Sequence, residues 1–211
     1  MDIWSFHKRM EQRTTLRTEQ DMKVLVCPAR LVHVKGHKHL FEALALLKGE
    51  RSDWVCWLLG DGPLRDELTQ QCRALGLGEH VQFLGTRSDV PAILGSADVF
   101  VLPSLQENLP FSVMEAQIAG KAIVVSDAGG IPEMVEHGTT GLISPAGQSE
   151  PMFHNLKRVL ADDVLRKRLG EQAKQWAMHH WSIETMMKKT LDVYDSVIQR
   201  NITQRGGTRY G

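Results

Sequence analysis

Two carboxylates, Glu107 and Glu115, stand seven residues apart in the run from Ser104 to Gly120, Ser-Leu-Gln-Glu-Asn-Leu-Pro-Phe-Ser-Val-Met-Glu-Ala-Gln-Ile-Ala-Gly. An ionised carboxylate accepts hydrogen bonds at both oxygens, and the hydroxyls of a sugar are natural donors to it. Between the two acids, Asn108 is a candidate helix N-cap and Pro110 falls in the first turn, where a missing N–H costs nothing. The amides around Leu109, Phe111 and Ser112 would then point outward unpaired, and a helix start of that kind attracts anions. Carboxylates repel phosphate, so acids flanking an anion site imply a ligand carrying both charges and hydroxyls, a sugar phosphate. Glu115 has Val113, Met114, Ala116, Ile118 and Ala119 around it. Such a setting ordinarily excludes a carboxylate that has no partner. The competing reading is a pair of solvated glutamates on a helix.

The elements that must position these acids are legible as alternation. Apolar, β-branched runs near residues 23–27, 54–59, 80–84, 98–102, 121–126 and 141–143 read as strands. Helical patterns near 38–48, 63–75, 88–95, 110–119 and 131–136 separate them, which is the βα order of a parallel sheet. The fold class is therefore α/β, a Rossmann-like parallel sheet of about six strands flanked by helices. The stretch 63–75 carries its buried stripe as Leu64, Leu68, Cys72 and Leu75. From Pro151 onward the pattern is helical only, ending in an amphipathic stretch from Trp181 to Gln199. Residues 1–21 are mixed in charge and weakly patterned and read as a linker or N-terminal arm, 22–200 as the folded domain, and 201–211 as a flexible tail.

An open parallel sheet binds ligands at the carboxyl ends of its strands, so the loops after the strands form one surface. After the first strand come Arg30, Lys35 and Gly36; the two cations can neutralise a diphosphate, Arg by a planar fork and Lys as a point charge, or are simply surface cations. Gly36 allows close backbone approach to a ligand. Gly60-Asp61-Gly62-Pro63 reads as a tight turn that lines the pocket, since two glycines without a third make a weak dinucleotide fingerprint. Gly85, Thr86 and Arg87 end a strand that can present backbone groups to a base, with Ser88 or Asp89 capping the next helix. Gly129-Gly130 permits either close backbone approach or a plain βα turn.

The chain has 25 Lys plus Arg and 25 Asp plus Glu among 211 residues, so no positive field steers it to nucleic acid. Cys27, Cys56 and Cys72 lie in apolar settings without a paired-thiol motif, as buried thiols in a reducing compartment do. No apolar run approaches the ~20 residues that cross a bilayer and the N-terminus lacks signal-peptide order, so a cytoplasmic location is expected. His33, His37, His39, His80, His137, His154, His179 and His180 show no metal-ligand spacing, so no metal is expected, and His37 and His39 read as solvent-facing. No hydrolase triad, nucleophile elbow or phosphate-binding P-loop is present.

Taken in order, Arg30…Lys35-Gly36, Gly60-Asp-Gly-Pro63, Val81-Gln-Phe-Leu-Gly85, Ala97-Asp-Val-Phe-Val-Leu-Pro-Ser104, Glu107-x7-Glu115 and Gly129-Gly-Ile-Pro-Glu133…Gly138-x-x-Gly141 resemble the C-terminal half of the retaining glycosyltransferases of family 4. The match runs from about residue 22 to about residue 200. The resemblance implies the nucleotide-sugar-binding half of a GT-B architecture, with a nucleoside-diphosphate sugar as donor substrate and no cofactor. It implies that Arg30 and Lys35 hold the donor diphosphate, Glu107 the hydroxyls of the transferred sugar and Glu115 those of the ribose. The Asn108, Leu109, Pro110 and Phe111 segment would complete the phosphate cradle, and the base would lie by the strand end from Phe83 to Arg87. Two departures are Ala29, where Gly often precedes the Arg, and Asn108, where Gly often follows the first Glu; both would narrow the pocket. The acceptor-binding N-terminal half has no counterpart here. The expectation is an isolated domain, a truncated product or half of a two-chain enzyme, inactive alone, serving bacterial polysaccharide or glycolipid synthesis and peripheral to the inner face of the membrane when complete. The last helix, around Trp181, Met187 and Tyr194, would be partly exposed and open to self-association. Competing readings are a nucleotide-sugar epimerase or glycogen-synthase-like half, which share the architecture, and a non-catalytic nucleotide-sugar-binding module. A NAD-dependent dehydrogenase fits less well, because no Gly-x-Gly-x-x-Gly turn follows the first strand.

Overall fold

The computed structural model describes residues 3–206. Six strands, β1 (Lys23–Pro28), β2 (Trp54–Leu59), β3 (Val81–Gly85), β4 (Val99–Leu102), β5 (Ala122–Ser126) and β6 (Leu142–Ser144), form one sheet in the order β3-β2-β1-β4-β5-β6. Every pairing is parallel. Residues of β2, β4 and β5 are all buried, so these strands read as unbroken apolar runs rather than alternating ones.

Between the strands lie α2 (His37–Lys48), α3 (Arg65–Ala74), α4 (Val90–Ser96), α5 (Phe111–Ile118) and α6 (Ile131–Met134). In α3, Leu68 and Cys72 are buried while Leu64 and Leu75, at its two ends, pack half-buried on the core. The helical C-terminal region resolves into α7 (Ser149–Ala161), α8 (Asp163–His180) and α9 (Ile183–Gly206). Asp162 makes the break between the first two, its carboxylate accepting from the Val164 and Leu165 amides at 2.9 and 2.8 Å. The tail expected from residue 201 is helical through Gly206, and 207–211 lie outside the described residues. On α9, Met187 and Tyr194 are exposed. Trp181, expected beside them, instead packs half-buried against the core and donates its ring N–H to Gln117 at 2.8 Å.

The weakly patterned reading of residues 1–21 needs correction, because Ile3–Thr15 form α1, docked against α4. Part of the hold is polar, and hydrophobic periodicity does not show that part. Arg13, 1% exposed, donates to the Ser96, Gln20 and Met22 carbonyls and pairs with Asp98 at 2.7 Å; Arg9 takes the other Asp98 oxygen at 2.7 Å. Burial pushes the Asp98 pKa up. Arg9, the Val24 amide and Arg13 outweigh it, so the net displacement is downward and the carboxylate stays ionised.

Among the described residues no helix is long and apolar enough to cross a membrane.

Candidate functional site

The strand order reverses between β1 and β4. In a parallel sheet that reversal sends successive crossover helices to opposite faces and leaves a crevice at the carboxyl ends of the two strands. The loops bordering it are the one after β1, carrying Arg30, Lys35 and Gly36, and the one after β4, carrying Ser104, Glu107 and Asn108.

Backbone hydrogen bonds stitch the whole rim together. The Gly60 amide donates to the Gly85 carbonyl at 2.8 Å, Leu31 to Asp61 at 3.0 Å, Leu105 to Val34 at 2.7 Å and Gly130 to Glu107 at 3.4 Å. The glycines serve these crossings. A Cβ at Gly36 would overlap the Pro103 carbonyl, one at Gly60 that of Ala29, and one at Gly129 that of Glu107. Gly36 and Gly129 also hold φ of +66° and +53°, where a side chain is strained. The close approach expected of Gly36 toward a ligand is thus made to the chain itself, and the Gly129-Gly130 turn is where the acidic loop crosses.

Lys35 ends a 3-10 turn, His33–Lys35, and its ammonium pairs with Glu107 Oε1 across the crevice. The same oxygen accepts from the Ser104 hydroxyl at 2.7 Å. The Glu107 side chain is 8% exposed and that of Lys35 is 23% exposed, so the pair sits at the floor of an open cleft rimmed by Val34, Gln106, Asn108 and Leu109. Glu107 Oε2 has no partner among the described residues. Arg30 is exposed at the mouth of the same loop and forms no ion pair among them.

The start of α5 differs from expectation. Pro110, with φ −73° and ψ 104°, is itself the N-cap, and no side chain caps the helix. Asn108 lies outside it because the chain runs extended through Pro110. The Val113 amide bonds back to Pro110, whereas those of Asn108, Leu109, Phe111 and Ser112 have no partner among the described residues. Four unpaired donors therefore border the crevice beside Glu107. Glu115, in the second turn, is solvent-facing. Val113, Ala116 and Gln117 form the buried face of α5 while Phe111 and Ile118 are exposed with Glu115. Its apolar neighbours in sequence do not enclose it.

At the sheet edge, Thr86 is exposed and Arg87 is committed to Asp89 by two bonds of 2.8 Å. Asp89 stands at the N-cap of α4 but its carboxylate faces Arg87 and Gln12 instead of the helix amides. The Gly85 carbonyl is spent on Gly60, which leaves less of this strand end to meet a base than its sequence implies.

His37 is corrected from solvent-facing to buried, at 2% exposure, and neither ring nitrogen has a hydrogen-bond partner. Burial first, and the Lys35 charge second, lower its pKa to about 4, so the ring is neutral. The Cys27 thiol, pushed up to about 12 by burial against the opposing pull of Lys35, is an inert core group. Sequence reasoning missed Ser104 and Ser126 beneath Glu107, although a serine three residues before an acid at a strand end is a visible signal.

The chain matches the family described as glycosyl transferases group 1 over residues 8–176. It belongs to that family. The N-terminal segment from residue 8, including most of α1, lies inside the match. Among curated relatives it is 34% identical, over 83% of its length and 45% of the relative's, to N,N'-diacetylbacillosaminyl-diphospho-undecaprenol alpha-1,3-N-acetylgalactosaminyltransferase of Campylobacter jejuni. It is 32% identical, over 87% of its length and 53% of the relative's, to the lipopolysaccharide core biosynthesis glycosyltransferase LpsE of Rhizobium meliloti. The chain spans about half the length of these relatives. The structure of Anabaena Alr3699/HepE in complex with UDP and glucose superposes with a TM-score of 0.82 at 27% identity, covering 90% of this chain and 52% of that one. The C-terminal domain of the Francisella tularensis group 1 protein LpcC superposes at a TM-score of 0.73 and 20% identity, covering 83% of this chain and 93% of that domain. The six-stranded parallel sheet of this chain, with its flanking helices, is the fold of one half of a GT-B glycosyltransferase.

Proposed function

We propose that this chain is the donor-binding, C-terminal half of a retaining glycosyltransferase of family 4, transferring a sugar from a nucleoside diphosphate to a glycan or lipid acceptor in bacterial surface-polysaccharide synthesis. The observation that carries this reading is the Lys35–Glu107 pair at the β1/β4 crevice, with four unpaired amides beside it and Arg30 at its mouth. A diphosphate meets two cations and a row of N–H donors there, and a sugar hydroxyl meets the free Glu107 oxygen. As the glycosidic bond breaks, charge grows on the diphosphate oxygens, and fixed donors and cations stabilise that charge more than the ground state. Glu115 takes the ribose hydroxyls from the exposed face of the second turn of α5, and Gly85, Thr86 and Arg87 border the base. The acceptor half lies beyond this chain, in keeping with coverage of about half of each relative, and the exposed apolar side of α9 offers it a seat. HepE, whose structure holds UDP and glucose, and LpcC, described as a C-terminal domain, support the assignment. Three free, buried cysteines suit the reducing cytoplasm.

Isothermal titration of the chain against UDP, GDP, ADP and their glucose conjugates tests the reading. One nucleotide should bind selectively. Arg30→Ala should weaken it about tenfold or more, the loss expected for a hydrogen bond to a charged group. Binding that is absent, or indifferent to Arg30, Lys35 and Glu115, would refute it.

A further inference from the structure

We propose that Ser104 is a positioning residue for the sugar-binding carboxylate, holding one oxygen of Glu107 so that the other faces the transferred sugar; the inference rests on the donor-site reading above. Ser104 lies two residues past the end of β4, is fully buried, and donates its hydroxyl to Glu107 Oε1 at 2.7 Å. Its own carbonyl accepts from the Ser126 hydroxyl at 2.5 Å, and Ser126, at the end of β5, is 1% exposed. The anchor is therefore tied to two adjacent strands, and sites built on such elements hold geometry better than sites on loops.

Lys35 grips the same Oε1 but differs in kind. It is a long side chain on a short turn, three times as exposed as Glu107, and it is the cation that a diphosphate would recruit. When Lys35 turns to the diphosphate, Ser104 is the remaining bond that stops the carboxylate rotating. With Oε1 so occupied, Oε2 keeps its lone pairs for sugar hydroxyls. Ser104 touches neither the nucleotide nor the sugar, so its contribution falls only on that part of the affinity owed to the sugar.

The measurement is the ratio of affinities for a nucleoside diphosphate and its glucose conjugate, using whichever of UDP, GDP or ADP binds, in the unaltered chain, Ser104→Ala, Ser104→Thr and Glu107→Ala. Ser104→Ala should leave nucleoside diphosphate affinity unchanged while shrinking the sugar's advantage about tenfold, as for a lost hydrogen bond to an ionised group. Ser104→Thr, which keeps the hydroxyl, should restore it. If Glu107→Ala loses the advantage and Ser104→Ala keeps it, the donor site stands and the role of Ser104 falls. A loss shared equally by both ligands, or one that threonine does not rescue alongside a lowered melting temperature, marks a purely structural serine and overturns the inference. If the unaltered chain binds none of the nucleotides, the donor reading itself fails and this inference with it.

Discussion

The buried imidazole of His37 should make this protein lose stability in mild acid. His37 opens α2 at 2% exposure, with both ring nitrogens unpartnered and Lys35 two residues before it. Its pKa falls from 6.5 to about 4 on folding. The unfolded chain thus takes up a proton below 6.5 that the folded chain refuses until about 4. The stability in question is fully present above 6.5 and is lost as the pH falls through that window. At about 1.4 kcal/mol per pH unit for one proton, the whole window amounts to about 3 kcal/mol, a large share of a typical domain's stability. His33, His39, Lys38 and Glu67 line the same cleft, so the test compares the natural chain with His37→Leu by urea unfolding between pH 7.5 and 4.5. The leucine protein should lose most of this slope. At pH 7.5 it should be at least as stable, because it replaces two unsatisfied buried nitrogens with an apolar group. Parallel curves for the two proteins would refute the reasoning. So would a leucine variant weaker by about 2 kcal/mol at pH 7.5, which would mean that the imidazole has a hydrogen-bond partner, such as a buried water.

Asp98→Ala should destabilise the fold by about 3 to 5 kcal/mol, since it leaves Arg13, 1% exposed, as an uncompensated buried charge; chemical denaturation measures it, and a loss below about 1 kcal/mol would show that α1 is not held by this pair. Gly129→Ala should cost about 2 kcal/mol or more and weaken donor binding, because a Cβ at φ +53° overlaps the Glu107 carbonyl. Gly138→Ala is its control: φ is +81° but nothing stands within 4 Å of the added carbon, so it should show the strain alone and bind donor normally. Equal binding losses in the two variants would sink the claim that Gly129 places the acidic loop.

The sheet was legible because strands β2, β4 and β5 are buried on both faces, and continuous apolar runs such as Trp54–Leu59 and Ala122–Ser126 read as strands once helices separate them. The docking of helix α1 was not legible, because an Arg9–Arg13–Asp98 cluster that ties it to the domain joins residues 89 and 85 positions apart in sequence. The burial of His37 escaped for a related reason: a polar residue at a helix start looks solvated until the turn before it folds over. The enclosure expected of Glu115 is missing for the opposite reason: of its apolar neighbours, Val113 and Ala116 turn to the core, while Ile118 and Ala119 are exposed with it.

The glycines show where residue type alone stops deciding. A glycine after a strand permits close approach, but the residue cannot say to what. Here Gly36, Gly60 and Gly129 meet backbone, at Pro103, Ala29 and Glu107 in turn. That use is no less functional than meeting a ligand. The crossing at Gly36 brings the β1 loop onto the β4 loop and the crossing at Gly129 fixes the β4 loop from its far side. Together they let Lys35 reach a carboxylate 72 residues away. The cation and the acid were each visible in the sequence as separate chemistry; their pairing at the crevice depends on residues with no side chain at all.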